Sequence, residues 1–97
     1  DLDAVVAAND RMAMGAMHTL RSRGLRIPDD IAVTGFDDIE EAAWFAPPLT
    51  SVEQPLAEMG RQAVRRLWSE FDGSATGPIA IPLRAELMIR ESTIGAS

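Results

Sequence analysis

Cysteine is absent from the 97 residues, which excludes disulfides and thiolate metal sites and fits a reducing compartment. His18 is the single histidine, so no histidine-based zinc cluster can form. Lysine is absent too, all nine basic residues being arginine. No apolar run approaches the roughly 20 residues of a membrane span, and no stretch of these residues reads as a signal peptide. GxGxxG, GxxxxGK[ST] and GxSxG do not occur, so a glycine-rich phosphate cradle and a hydrolase nucleophile elbow are both missing. Positive charge is scarce: the net charge is −6, which argues against nucleic-acid binding by this segment on its own. These absences imply no enzyme, no cofactor and no metal.

What remains has the balance of a globular chain, with 46% hydrophobic and 25% charged residues. The length suits one small domain or part of a larger one. The chain opens on "DLDAVVAAND", which reads as the lip of a strand cut from something longer. "DAVVAA" (3–8) predicts a parallel strand covered on both faces. Asp10 reads as the N-cap of a helix over 10–23, which Gly24 ends. Within that helix Ala13, Ala16 and Leu20, with Met12 beside them, make the core stripe, and Gly15 and Ala16 let it lie close to the sheet. "IAVTGF" (31–36) is a second buried strand, with Gly35 marking a close backbone approach. A short helix over 39–45 follows and Pro47-Pro48 ends it.

"LTSVEQ" (49–54) is a third strand. A helix over 55–71 carries Leu56, Met59, Ala63, Leu67 and Phe71 at helical spacing. A loop over 72–78 leads to strands over 79–82 and 85–90, and the tail from Glu91 is expected to fray. Helices between consecutive buried strands predict an α/β fold: a three-layer α/β/α arrangement on a parallel sheet.

Ligands of open parallel sheets bind beyond the carboxyl ends of the strands. Asn9, Asp37 and Gln54 fall at those ends, and the topology brings them to one rim. Either they contact a ligand, or they are caps and turns, as Asx residues at such junctions often are. Carboxylates and carboxamides there would suit a polyhydroxylated ligand. Asp37-Asp38 resembles the acidic magnesium pair of a phosphorelay receiver domain, but such a domain also needs a phosphate-binding lysine. Asp38 reads instead as the cap of the short helix that follows.

A second stripe on the first helix, Met14, Met17, His18 and Arg21, is either a wider core contact or a partner surface. Trp44 and Phe45 cannot both turn inward easily. Aromatics, Met and Arg are enriched at interfaces, so these two read as partner anchors.

Taken in order, "AANDRMAMGAM", "IPDDIAVTGFDD" and "PPLTSVEQP", with the tail "IPLRAELMIREST", resemble the C-terminal part of lactose- and galactose-repressor-type (LacI/GalR) transcriptional regulators over nearly the whole chain. The resemblance implies a partial lobe of the type I periplasmic-binding-protein kind. It also implies a cytoplasmic regulator whose DNA affinity is switched by a small-molecule effector, a sugar or related metabolite. By position it makes Asn9, Asp37 and Leu56 effector contacts, and Met14, Met17, Trp44 and Phe45 homodimer interface. Val52, Glu53, Gln54 and Pro82 become the hinge. It assigns 1–53 and 83–97 to the second lobe and 54–82 to the first. Operator DNA would be bound only through an N-terminal headpiece outside these residues. A periplasmic-type sugar-binding transport protein shares the core fold and is the alternative.

Overall fold

In the computed structural model, which describes residues 1–77, 80 and 82–96, the apolar run after Asp3 forms strand β1 (Ala4–Val6). Helix α1 (Asp10–Ser22) follows after a short turn. Strand β2 (Ala32–Thr34) pairs parallel to β1, with Ala4 opposite Ala32 and Val6 opposite Thr34. The short helix expected over 39–45 is a 3-10 helix (Glu40–Trp44), and strand β3 (Ser51–Glu53) comes next. Helix α2 (Leu56–Asp72) ends at Gly73; strand β4 (Glu86–Met88) and helix α3 (Glu91–Ile94) complete the order.

The chain divides into two compact units, Asp1–Glu53 with Glu86–Ser97, and Gln54–Ala85. The first unit is α/β. Parallel bridges Thr34–Thr50 and Asp37–Glu53 carry the parallel arrangement from β2 to β3, through Gly35 N to Thr50 O and Asp37 N to Val52 O, each 2.9 Å. β4 lies antiparallel on β3. The chain between them runs through the second unit, so the crossover rule that favours parallel pairing does not govern this step.

The core is Ala13, Met17, Val33, Ala42 and Leu49, with Val5, Ala7, Leu20, Ile27, Ile39 and Phe45 packed on it. Several expectations change here. Met12 is exposed. A Cβ added at Gly15 would meet nothing within 4 Å, so no close helix-sheet approach depends on that glycine. β1 is covered on one face only. Val5 and Ala7 join the core while Val6 is 82% exposed, because neighbouring strand residues point to opposite faces.

The start of the tail, expected to fray from Glu91, is instead ordered as helix α3. Ser92 is fully buried; its Oγ donates to Val33 O (2.6 Å) and accepts from Thr50 N (2.8 Å). Thr93 and Thr50 hydroxyls meet at 2.6 Å. Small polar side chains pin this segment by hydrogen bonds, which a search for apolar periodicity does not register. Of the strand expected over 79–82, Ile79 and Ile81 lie outside the described residues; Ala80 and Pro82 are not in a strand.

The turn before β2 is closed by Arg26, whose Nε and Nη2 donate to the two carboxylate oxygens of Asp30, each at 3.1 Å. Those bonds, and one from the Arg26 amide, hold the Asp30 carboxyl below the usual carboxylate range. A depressed folded-state value means the contribution is present above the unfolded value and is lost as pH falls through the folded one. Asp30 is therefore expected to titrate at lower pH than freely exposed aspartates in a carboxyl NMR titration, and Arg26→Ala to move it part of the way back, since the backbone amide bond remains.

Candidate functional site

At the carboxyl ends of β1 and β2 the backbone itself gathers the polar residues. Asp10 N donates to Phe36 O (3.0 Å), and Asp37 N donates to Val52 O (2.9 Å). The ends of β1, β2 and β3 thus meet on one rim, carrying Asn9, Asp37 and the Glu53 end of β3. Gln54 follows directly and is the first residue of the second unit.

Two capping roles differ from expectation. The N-cap of α1 is Asn9, not Asp10: Asn9 Oδ1 accepts from Met12 N at 2.9 Å. One oxygen of Asn9 is therefore engaged, and its amide nitrogen still offers a donor. Asp10 points inward and is fully buried. Its Oδ1 accepts from Ser51 Oγ (2.6 Å) and its Oδ2 from Ile39 N (2.8 Å). Asp38 does not cap the 3-10 helix, which has no side-chain cap. Its Oδ1 pairs instead with Arg90 Nη1 at 2.7 Å, and the same nitrogen donates to Leu49 O at 2.8 Å.

Asp37 and Asp38 have φ of 108° and 53°, a region that side-chain-bearing residues seldom enter. Such conformations cost on the order of 1–3 kcal/mol each and persist only where surroundings over-determine them. Here three successive amides are held: Asp37 N by Val52 O, Asp38 N by Ser51 Oγ (3.0 Å) and Ile39 N by Asp10 Oδ2. Gly35 makes this possible, since a Cβ there would lie 2.2 Å from Asp10 Oδ1. Ser51, Arg90 and the inward role of Asp10 were not legible from spacing. Only their unusual setting, short polar or charged residues within apolar strand-like runs, hints at them.

A carboxylate and a carboxamide on a rim, one of them on a held and strained turn, can accept from and donate to neighbouring hydroxyls. Among the described residues no group of three acidic or histidine side chains is placed to hold a metal ion, and no helix is long and apolar enough to cross a membrane.

The expected partner surface separates into parts. Trp44 is 78% exposed and Met14 is exposed. Met17 is a correction: it is 4% exposed and belongs to the core, so the wider core contact holds for it. Phe45 is half-buried against that core. Met14, Met17, His18, Arg21, Phe45 and Ala46 line a groove of about 250 Å³. Among the expected hinge residues, Val52 and Glu53 lie in β3, and the unit boundary falls between Glu53 and Gln54. Pro82 stands inside the second unit, short of its junction at Ala85–Glu86. Leu56 is exposed at the start of α2, which has no buried residue.

Residues 1–93 match the family model of a periplasmic binding protein-like domain. The HTH-type transcriptional regulator CelR of Thermobifida fusca is 46% identical over 92 residues, 95% of this chain and 27% of that protein. The HTH-type transcriptional regulator MalR of Streptomyces coelicolor is 43% identical over 96 residues, 99% of this chain and 28% of that protein. Among solved structures, the transcriptional regulator CelR–cellobiose complex superposes with a TM-score of 0.88 at 46% identity, covering 95% of this chain and 28% of that one. The Lac repressor dimer bound to operator and the anti-inducer ONPF gives 0.84 at 38% identity, covering 94% and 32%. The chain thus spans 27% to 32% of the length of these relatives.

Proposed function

The chain belongs to the periplasmic binding protein-like family in the form carried by LacI-type transcriptional regulators, and we propose that it is the effector-binding and dimerisation part of such a regulator. In this reading a small metabolite, a sugar, changes the affinity of the intact protein for operator DNA. Asn9 and Asp37 contact the effector directly, and Leu56 supplies an apolar contact. Residues 1–53 and 83–97 form one lobe and 54–82 belong to the other, with the hinge at Val52–Gln54 and near Pro82. The protein acts in the cytoplasm as a homodimer and reaches DNA through a headpiece outside these residues. No enzymatic step is part of the reading.

The observation that carries it is the parallel pairing of β1 with β2, which sets Asn9 and Asp37 past two neighbouring strand ends. That relatives of this chain are named transcriptional regulators, one of them solved with cellobiose, favours a regulator over a transport protein and a sugar over other ligands.

In the intact regulator, Asp37→Ala is expected to abolish or sharply weaken the effector response while leaving operator binding intact. A hydrogen bond to a charged group is worth about 1.5–3 kcal/mol, so the half-maximal response moves to roughly ten- to a hundredfold more effector. An operator-binding titration with cellobiose as the first probe checks this. An unchanged response in Asp37→Ala would refute the assignment.

A further inference from the structure

We infer that Asp10 and Ser51 are positioning residues that hold the Asp37–Asp38 turn in its left-handed conformation, and so set the direction of the Asp37 carboxylate. The inference rests on the reading of Asp37 as an effector contact and goes one step behind it.

The turn has no conformational preference of its own for the shape it takes, since both residues carry side chains at positive φ. Something must hold it, and the holders are identifiable. Ser51 Oγ is a relay: it accepts from Asp38 N and donates to Asp10 Oδ1. The other oxygen of Asp10 accepts from Ile39 N, the residue leaving the turn. Two side chains from distant parts of the chain therefore occupy two consecutive amides of one strained segment. Ser51 and Asp10 are both fully buried, so water does not compete for these bonds. Arg90 secures the Asp38 side chain from a third direction.

The two residues also join separate elements. Asp10 is the first residue of α1, and Ser51 opens β3, whose last residue Glu53 ends the first unit. β3 thus meets the Asp37–Asp38 turn twice, by its backbone at Val52 O and by the Ser51 hydroxyl.

Amide hydrogen exchange by NMR on the intact protein tests the inference without any effector. Ser51→Ala is expected to speed exchange at Asp38, and Asp10→Ala at Ile39, by about tenfold or more relative to Ala42 and Leu49, because local opening releases one protected amide at a time. Asp10→Asn keeps an acceptor oxygen and is expected to restore most of the protection at Ile39. A general structural role would instead raise all four rates together, and that result overturns the inference, as would loss of the native fold in both alanine variants. Cellobiose titration of the same proteins separates the two claims. Should Asp37→Ala respond like the wild type, the effector reading falls, while fast exchange confined to Asp38 and Ile39 still establishes the two positioning residues.

Discussion

Gly35→Ala is expected to remove most of the stability of the first unit. The added Cβ would sit 2.2 Å from Asp10 Oδ1 and 2.9 Å from Leu49 Cδ2, and 3.2 Å from the Asp10 backbone. None of these neighbours is free to move. Asp10 Oδ1 is bonded to Ser51 Oγ at 2.6 Å, and Leu49 is a fully buried core residue. Overpacking of a close-packed site costs about 1–3 kcal/mol. Displacing the Asp10 carboxylate also strands the Ser51 hydroxyl and the Ile39 amide, and each unsatisfied buried donor costs about 1–3 kcal/mol more. Against the roughly 5–15 kcal/mol that holds an ordinary domain together, a loss of about 4 kcal/mol or more leaves a protein that unfolds at a much lower urea concentration. Gly15→Ala is the control with the opposite sign. Its site is empty and helical, so alanine is expected to stabilise by about 0.5–1 kcal/mol. Equal midpoints for the two variants in urea denaturation would contradict the contrast.

Gly35 was legible as a close approach because a lone glycine in a buried strand needs a reason; the identity of what approaches was not. Spacing also located Asn9 and Asp37, since a parallel sheet places whatever follows its strands on one rim. It did not separate Asn9 from Asp10. Both are good cap residues, and the choice is decided by Ser51, 41 residues away. The same limit applies to Met14 and Met17. They fall on one stripe of α1, and only the position of Val33 and Leu49 in the folded unit decides that Met17 is inside and Met14 outside. The seating of Ser92 and Arg90 is equally non-local. Helical and strand periods report which residues share a face, and not which buried polar group finds which partner.

Trp44→Ala is expected to weaken self-association of the intact protein by about 2–4 kcal/mol, the range of an aromatic hot spot, which is roughly thirty- to a thousandfold in the dimer dissociation constant. The reason lies in how the indole is presented. Trp44 is 78% exposed, yet the short 3-10 helix beneath it is held from several sides. Ile39 N is bonded to the buried Asp10 carboxylate, Ala42 is fully buried, and Leu49 N donates to Ala42 O at 2.8 Å. Arg21 of α1 reaches Ala46 O on the far side. A large aromatic on a fixed platform loses little freedom when a partner covers it, so more of its burial appears as affinity. Since Trp44 makes little use of its ring within its own chain, its removal is expected to change the unfolding midpoint of the dilute monomer by no more than a surface substitution does, about 0.5 kcal/mol. Sedimentation equilibrium across a concentration series distinguishes the outcomes. A dimer constant unchanged by Trp44→Ala would place the interface elsewhere. The Asp10 tether gives the Asp37–Asp38 turn and this platform a common support, because one carboxylate holds the amide at which the turn ends and the 3-10 helix begins. A change at the Asp37–Asp38 turn thereby has a direct covalent and hydrogen-bonded route to Trp44, the proposed partner anchor.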